Sequence, residues 1–483
     1  MKLTKTILIA GMTVYLTGCA GWRSIREPEP LELPDQYLQA DSIGVYLDDP
    51  WWTAIGDAGL NAVMEEAFAE NLTLQLAFTR LEQSRQLLKT ANSTWFPMVN
   101  ASGTYVETDS LTEQNTAGQP AFTMYQPAYS AGLTAAYEID LWGRLKSSRQ
   151  ASAADYRATK LDLNAMALSL SANVAGTYYA IIELKLQLDL MDKTIDFYTA
   201  NKGMIEGRYR RGLVSSLDLY QAESSLMGAL AQKTVIETNL ALTENVLAVT
   251  LGKYPEADDR IDDLNIPVEF TVPQPGLPSE LLKRRPDVMA AYQRLVAADR
   301  RAAEAVANRF PSFSLTGTIS GGGDDLSAAL DTDNMIWKAI GNVTIPIFEG
   351  GRRKAGADLA QARWEGELIN YKSALLNAFM EVENALITGK NQQENVTYLE
   401  AQVKASEAAM RLADNQYLRG IISYLQVVVA QNNYLNAKRS LITARRHLVQ
   451  SRIQLVTALG GGWTSKYVEK QSSSKLQADS SWQ

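Results

Sequence analysis

Soft ligands and general bases are almost missing: 483 residues contain one cysteine and one histidine. A zinc site needs several thiolate or imidazole ligands, and a cysteine or serine nucleophile usually needs a histidine base. Most metal, haem and triad chemistry is therefore excluded; no convergent catalytic set is visible, and no cofactor or metal is called for. No disulfide can form within the chain. Positive charge is also short, 46 Lys+Arg against 54 Asp+Glu for a net charge of -8, which argues against a nucleic-acid partner. Beyond the first few turns no uninterrupted apolar stretch approaches the roughly 20 residues of a transmembrane helix. A membrane-spanning form of this chain has to be a β-barrel.

The N-terminus does carry a short apolar run. Two lysines lie within Met1 to Lys5, Ile7 to Leu16 is apolar, and the run ends in Leu16-Thr17-Gly18-Cys19. This reads as a secretory signal over 1–18, too short to span a membrane. Its end resembles a bacterial lipobox, which implies cleavage before Cys19 and lipidation of its thiol; the plainer alternative is an ordinary signal with a chance cysteine.

Proline is absent from 128–254 and from 347–483, and these stretches, rich in Ala, Leu, Gln, Glu, Lys and Arg, favour long helices. They are two copies of one pattern. A shift of 208 residues aligns Gly143-Arg144 with Gly351-Arg352, Tyr209 with Tyr417, Arg211-Gly212 with Arg419-Gly420, and Leu251-Gly252 with Leu459-Gly460. Upstream, Phe96-Pro97 matches Phe310-Pro311 at a shift of 214. Such a long period signals a duplicated architecture.

Each half reads as a helix, two strands and a long helical hairpin. Helical patterning runs from Leu60 to Ala91. Alternation of apolar and polar residues then predicts strands at about 98–108 and 130–142 in the first half and about 312–321 and 337–348 in the second. All four have the length of a tilted membrane-crossing strand. The segments 109–128 and 321–335 read as exposed loops. Trp95, Trp142 and Trp337 stand at strand ends, where an interfacial aromatic belt places them, or are incidental. Four strands leave two open edges, which hydrocarbon does not tolerate, so a membrane reading forces several copies to close one barrel. The soluble alternative is a half-buried sheet covered by helices.

Beyond Gly143 the helix carries a coiled-coil seam of Leu161, Ala165, Leu168, Ala172, Ala175, Tyr179, Ile182 and Leu186. In the last helix Val428, Leu435, Ile442, Val449 and Val456 recur every seven residues beside a second large-residue stripe. Two stripes imply neighbours on both sides, as in a ring of helices. The hairpins reverse near Arg208 to Leu217 and Gln416 to Leu425, each turn using a glycine, Gly212 or Gly420, followed by a serine, Ser215 or Ser423, suited to cap the returning helix.

At this point the chain resembles the TolC-like outer-membrane factors of tripartite efflux systems, in their lipoprotein branch. The residues that carry the resemblance are Trp51-Trp52 with Asp57, Leu60 and Asn71-Leu72; Leu281 to Asp287; Phe310 to Gly317; Phe348 to Arg352; and the turns Tyr209 to Ala222 and Tyr417 to Ala430. The resemblance implies an α+β membrane protein: a homotrimer with a twelve-stranded outer-membrane β-barrel, four strands per chain, continued by a periplasmic α-helical barrel of long coiled-coil hairpins built from two repeats. It implies an exit duct for drugs, metal ions or other small toxic compounds, without chemistry of its own. Its tips, Gly212, Leu213, Ser215, Gly420, Ile421 and Ser423, would dock a periplasmic adaptor that links the channel to an inner-membrane pump. Ala20 after Cys19 agrees with outer-membrane sorting in the family.

The resemblance also implies a gate at the tips. Asp218 matches the family's first-hairpin acid and Tyr417 a tyrosine that bonds to it in some members; Arg211 and Arg419 are candidate partners across protomers. Gln426 and Val429 stand where many members have acids, so this chain departs from a double acidic ring. Asp218 reads equally as an acid stabilised at a helix N-terminus. His447 reads as a surface or seam residue, and Gly321 to Asp325 as a loop tip without the lysine of a phosphate loop. The resulting division is signal 1–18, lipidated linker 19–56, first repeat 57–254, equatorial connection 255–284, second repeat 285–462 and a disordered tail 463–483. The rival reading is a periplasmic lipoprotein in which the coiled coils act as a tether.

Overall fold

The computed structural model describes residues 37, 50–112, 122–255, 261, 263–268 and 281–461. The expected signal segment, Cys19, most of the linker and the tail from 463 lie outside the described residues. The chain divides into two compact units, one holding 82–158 and 291–371 and the other 31–81, 159–290 and 372–483.

The element order is α1 (Ala58–Glu70), α2 (Leu72–Ser93), β1 (Met98–Thr112), β2 (Phe122–Ile139), α3 (Arg144–Arg210), α4 (Ser216–Thr250), α5 (Pro286–Ala307), β3 (Ser312–Gly323), α6 (Leu326–Leu330), β4 (Ile336–Thr344), α7 (Arg352–Leu418) and α8 (Tyr424–Ala458). The duplication holds to the residue. α3 and α4 move onto α7 and α8 by the shift of 208, and α2 and the start of β1 onto α5 and β3 by 214. The six-residue difference is absorbed in the β1-β2 hairpin.

The first unit holds the sheet, antiparallel in the order β1-β2-β3-β4. Its register puts Leu133 opposite Ile319 and Ile319 opposite Trp337 on one face, with Thr134, Thr318 and Lys338 on the other. The strands differ from the expected bounds. β1 and β2 run through much of the segment read as a loop, pairing as far as Thr112 with Phe122; the runs Thr108-Asp109-Ser110 and Gln126-Pro127 interrupt the alternation that would have marked them in the sequence. Pro127 is tolerated there because β2 gains its second neighbour only from Tyr129 onward. β2 ends at Ile139 rather than 142, since the Asp140 carboxylate turns to accept from Leu145 N (3.1 Å) and Lys146 N (2.8 Å) at the start of α3. β4 stops at Thr344, two residues before Pro346. The segment 321–335, read as a loop, completes β3 and then forms α6 and a short 3-10 turn.

The second unit holds the main hydrophobic core. The Trp51 ring meets Trp52 edge-on at 5.9 Å, Trp52 stacks on Phe68 at 5.5 Å, and Trp51 Nε1 donates to Ser171 Oγ (3.0 Å). Asp57 caps α1 by accepting from Leu60 N (3.0 Å) and also accepts from the hydroxyls of Tyr178 (3.2 Å) and Tyr179 (3.3 Å). The expected single helix from Leu60 to Ala91 is two, broken at Asn71, whose extended backbone ends α1. Its side chain accepts from Leu74 N (2.8 Å) and donates to the Thr250 carbonyl at the end of α4 (2.8 Å).

Arg285 does the equivalent work in the second repeat, one residue before α5, donating to the Ala458 carbonyl at the end of α8 (3.2 Å). It also grips Asp287 (3.1 and 2.7 Å) and Glu381 (2.6 Å). Below each cap a glycine ends the returning helix: a Cβ on Gly252 would lie 2.6 Å from the Glu70 carbonyl oxygen, and one on Gly460 2.9 Å from the Arg284 carbonyl.

The expected seams are partly buried. Leu168, Ala175, Tyr179 and Ile182 are buried in α3 while Leu161, Ala165, Ala172 and Leu186 are half-buried. In α8 the fully buried heptad is small, Ala437, Ala444, Ser451 and Ala458; such residues bring helix backbones close where large ones could not pack. By composition one segment of α3 is apolar enough to cross a membrane, but it is mostly buried within the chain, as in a core helix.

Candidate gate and docking site at the hairpin tips

Both tips are built by the same backbone device. At the end of α3, Gly212 N donates to the Tyr209 carbonyl (2.8 Å) and Leu213 N to that of Arg208 (3.0 Å). At the end of α7, Gly420 N reaches Tyr417 O (2.9 Å) and Ile421 N reaches Gln416 O (2.9 Å). This Schellman pair of bonds requires a left-handed residue, and Gly212 and Gly420 have φ of 71° and 74°.

The returning helices start differently. Ser215 forms a capping box with Asp218: its hydroxyl accepts from Asp218 N, and the Asp218 carboxylate accepts from Ser215 N, both at 3.3 Å. Ser423 has the extended backbone of a cap but no side-chain bond; instead its carbonyl accepts from Gln426 N (3.1 Å).

Beneath the turns lies a small core of Ile205, Ala222, Tyr417, Tyr424 and Val427. The rings of Tyr417 and Tyr424 lie 5.5 Å apart, and the Arg208 guanidinium sits 5.1 Å from the Tyr417 centroid. Both phenol oxygens are buried with no hydrogen-bond partner among the described residues. Burial pushes the Tyr424 phenol up to about 12, with Tyr198, Tyr417, Asp414 and Asp218 adding to the shift. The Tyr417 phenol is raised by burial and Asp218 against the opposing pull of Arg208. The Asp414 carboxyl is raised by burial, opposed by the bond it accepts from Gln431 Nε2 (3.3 Å).

The structure thus places Tyr417 in the chain's own tip core, with its hydroxyl unbonded rather than joined to Asp218. Asp218 is half-buried; Arg211, Arg419 and Gln426 are exposed. Among the described residues neither Arg211 nor Arg419 forms an ion pair within the chain. Beside these polar groups both tips expose large apolar side chains: Leu213, Leu217, Tyr220, Ile421 and Leu425 are all more than half exposed. Sequence reasoning missed Arg208, Asp414, Tyr424 and Gln431. The available signal was the seven-residue step Tyr417, Tyr424, Gln431, which runs straight through the turn.

At the strand ends, Trp337 is exposed on β4. Trp142 stacks on Phe310 at 5.0 Å and donates from Nε1 to Pro311 O (2.6 Å), and Trp95 lies under Arg149 at 5.0 Å.

A duplicated sheet-and-hairpin chain of this kind is matched by the family model "Outer membrane efflux protein" over residues 63–253 and 277–461. The chain belongs to that family. It is 28% identical over 464 residues to the cation efflux system protein CusC of Escherichia coli O6:H1, covering 94% of this chain and 97% of that protein. The probable outer membrane lipoprotein SilC of Salmonella typhimurium is 26% identical over 465 residues, 95% of this chain and 99% of that one. A solved CusC structure superposes with a TM-score of 0.80 at 26% identity, covering 90% of this chain and 99% of that one. The Campylobacter jejuni CmeC channel, at 23% identity, TM-score 0.84 and coverage of 93% and 97%, shows likeness of fold alone.

The chain is therefore the outer-membrane channel component of an efflux system. What this chain brings to that channel is a four-stranded antiparallel sheet and two long helical hairpins.

Proposed function

We propose that this channel is a passive exit duct, anchored by lipid on Cys19, whose periplasmic mouth is closed by the hairpin tips and opened when a periplasmic adaptor docks on them. It performs no chemistry; the energy for export comes from an inner-membrane pump. The observation that carries this reading is a pair of features at the tips, an exposed apolar surface on both and buried unbonded hydroxyls on the second. Leu213, Leu217, Ile421 and Leu425 are held out in water by a rigid glycine turn, a surface suited to an apolar partner. Just behind them the second tip stores buried, unbonded hydroxyls on Tyr417 and Tyr424, each an incompletely satisfied contact that a second arrangement of the tip can improve.

Asp218 acts as the gate's acid. Three copies brought together at the mouth favour a cation among them, and Arg211 and Arg419 of neighbouring protomers are its closing partners, with Gln426 as the neutral member of the second tip. The cargo is a small toxic compound of the range in the relatives' names, which cover cations, solvents and toluene. Trp95, Trp142 and Trp337 mark the membrane interfaces.

Single-channel conductance of the purified protein in planar bilayers, with its mass measured in detergent, tests the proposal. A trimer with small, cation-preferring, mostly closed openings is expected. A monomer without conductance overturns it in favour of the tether.

A further inference from the structure

The short helix α6 (Leu326–Leu330) lies in a place that the channel reading does not explain. Along β3 the residues Leu315 and Ile319 share a face with Leu133 and Tyr137 of β2 and Trp337 of β4, while Thr316 and Thr318 point the other way. In a membrane barrel the apolar face of that alternation looks into lipid. Gly321 and Gly323 continue the apolar face to the end of β3, and α6 folds back onto them. A Cβ at Gly321 would run into the backbone of Ala329, and one at Gly323 into the side chain of Ala328. The two glycines are thus a floor cut to the height of a helix, on the outside of the sheet.

The helix is fixed there at both ends. Asp325 caps it by accepting from Ala328 N (2.7 Å), and Asn334 Nδ2 donates to the Ala328 carbonyl (3.2 Å). Ala329 is fully buried against the floor, whereas Leu326 and Leu330, one helical turn apart, are each more than half exposed. Strand pairing between copies uses the open edges of β1 and β4, but α6 rests over β2 and β3, the interior strands, so closing the barrel does not cover it.

We propose that α6 is an interfacial helix of the outer leaflet, with Leu326 and Leu330 among lipid acyl chains beside the barrel. Two leucines held over an apolar face continuous with the lipid-exposed wall are placed for acyl chains, in the manner of a helix lying in the membrane plane. The inference rests on the barrel reading of the sheet, and its test keeps the two apart.

Nitroxide labels are placed singly at Leu326→Cys and Leu330→Cys in the full-length trimer, reconstituted in phosphatidylethanolamine and phosphatidylglycerol vesicles, with the unsubstituted chain as labelling blank. Accessibility to oxygen, which concentrates in acyl chains, is compared with accessibility to a water-soluble nickel chelate. Leu133→Cys on the apolar face and Thr318→Cys on the polar face calibrate the readout. Oxygen access exceeding nickel access at both α6 positions, as at Leu133, is the expected result. Nickel access exceeding oxygen access at α6 while Leu133 reads as lipid overturns the proposal, leaving an aqueous loop. Low access to both reagents also overturns it, by showing a protein cover. A Leu133 label that reads as water refutes the barrel reading and the α6 proposal with it.

Discussion

Two glycines with nearly the same backbone conformation should respond differently to the same substitution. Gly420 at the second tip has φ of 74° and Gly252 at the end of α4 has φ of 72°. An alanine in the left-handed region costs roughly 1–2 kcal/mol at either position. Among the described residues of the chain nothing lies within 4 Å of a Cβ on Gly420, so only the conformational cost is expected there; on Gly252 the added carbon would also lie 2.6 Å from the Glu70 carbonyl oxygen. Backbone on both sides must move, and a cost of more than about 3 kcal/mol is expected once the overlap is added. Gly420→Ala should speed amide exchange by roughly 5- to 30-fold, the factor for that range of energy, within the tip helices around 411–430 and leave the rest of the trimer unchanged. Gly252→Ala should loosen the junction of α1, α2 and α4 and lower the temperature at which the trimer dissociates. Gly420→Asn should recover most of the loss, because asparagine visits this region readily. Hydrogen exchange followed by mass spectrometry on the detergent-solubilised trimer reads all three. Equal effects of Gly252→Ala and Gly420→Ala, or an asparagine as damaging as alanine, would refute the assignment of cost to conformation at one site and to contact at the other.

Asp218→Asn removes the tip's first-turn acid at a stability cost of about 0.5–1 kcal/mol and should reduce cation preference and raise open probability in planar bilayers; unchanged size, selectivity and opening would count against Asp218 as the gate. The Asp287 carboxyl is pushed up by burial but held below its ordinary value on balance by the bonds from Arg285. A depressed carboxylate adds stability above its unfolded pKa and loses it as pH falls through the folded one, so the trimer should weaken below about pH 4; Arg285→Met should lower stability at neutral pH and flatten that acid limb in thermal melts. For Asp414 the sign is reversed: a raised carboxyl favours the folded tip at low pH and opposes it as pH rises through the folded value. Asp414→Asn should therefore slow tip exchange at pH 7 and leave it unchanged near pH 4. Trp142→Phe keeps the stack on Phe310 but loses the bond to Pro311 O, and should lower the dissociation temperature by a stability change of about 1 kcal/mol.

Much of the fold was legible because its signals are local. The shift of 208 residues located both hairpins, since α3 with α4 and α7 with α8 obey it at every boundary, and Gly212 and Gly420 marked the turns because only a left-handed residue completes them. Alternation located the four strands where apolar and polar residues alternate and failed where β1 and β2 extend further, because Thr108-Asp109-Ser110 and Gln126-Pro127 break the period of two. At the tips Asp218 was legible as a cap, being three residues from Ser215. Tyr417 was legible as a tip residue, but its burial beside Tyr424 was not.

Composition and spacing alone thus determined a duplicated helix-and-strand chain with little material for catalysis and a sheet that must find more strands to close, because hydrogen-bond satisfaction and helical period act within a few residues. Tertiary structure alone decided which copy of a repeated position does what. Tyr209 and Tyr417 are equivalents in sequence, yet the first is exposed and the second buried, since the side chains packed against them come from different helices. Asn71 and Arg285 occupy equivalent places and cap equivalent carbonyls 179 and 173 residues away, one with a neutral amide and the other with a guanidinium anchored by two carboxylates. Contacts at that separation leave no period in the chain; they exist only once the helices that carry them have packed.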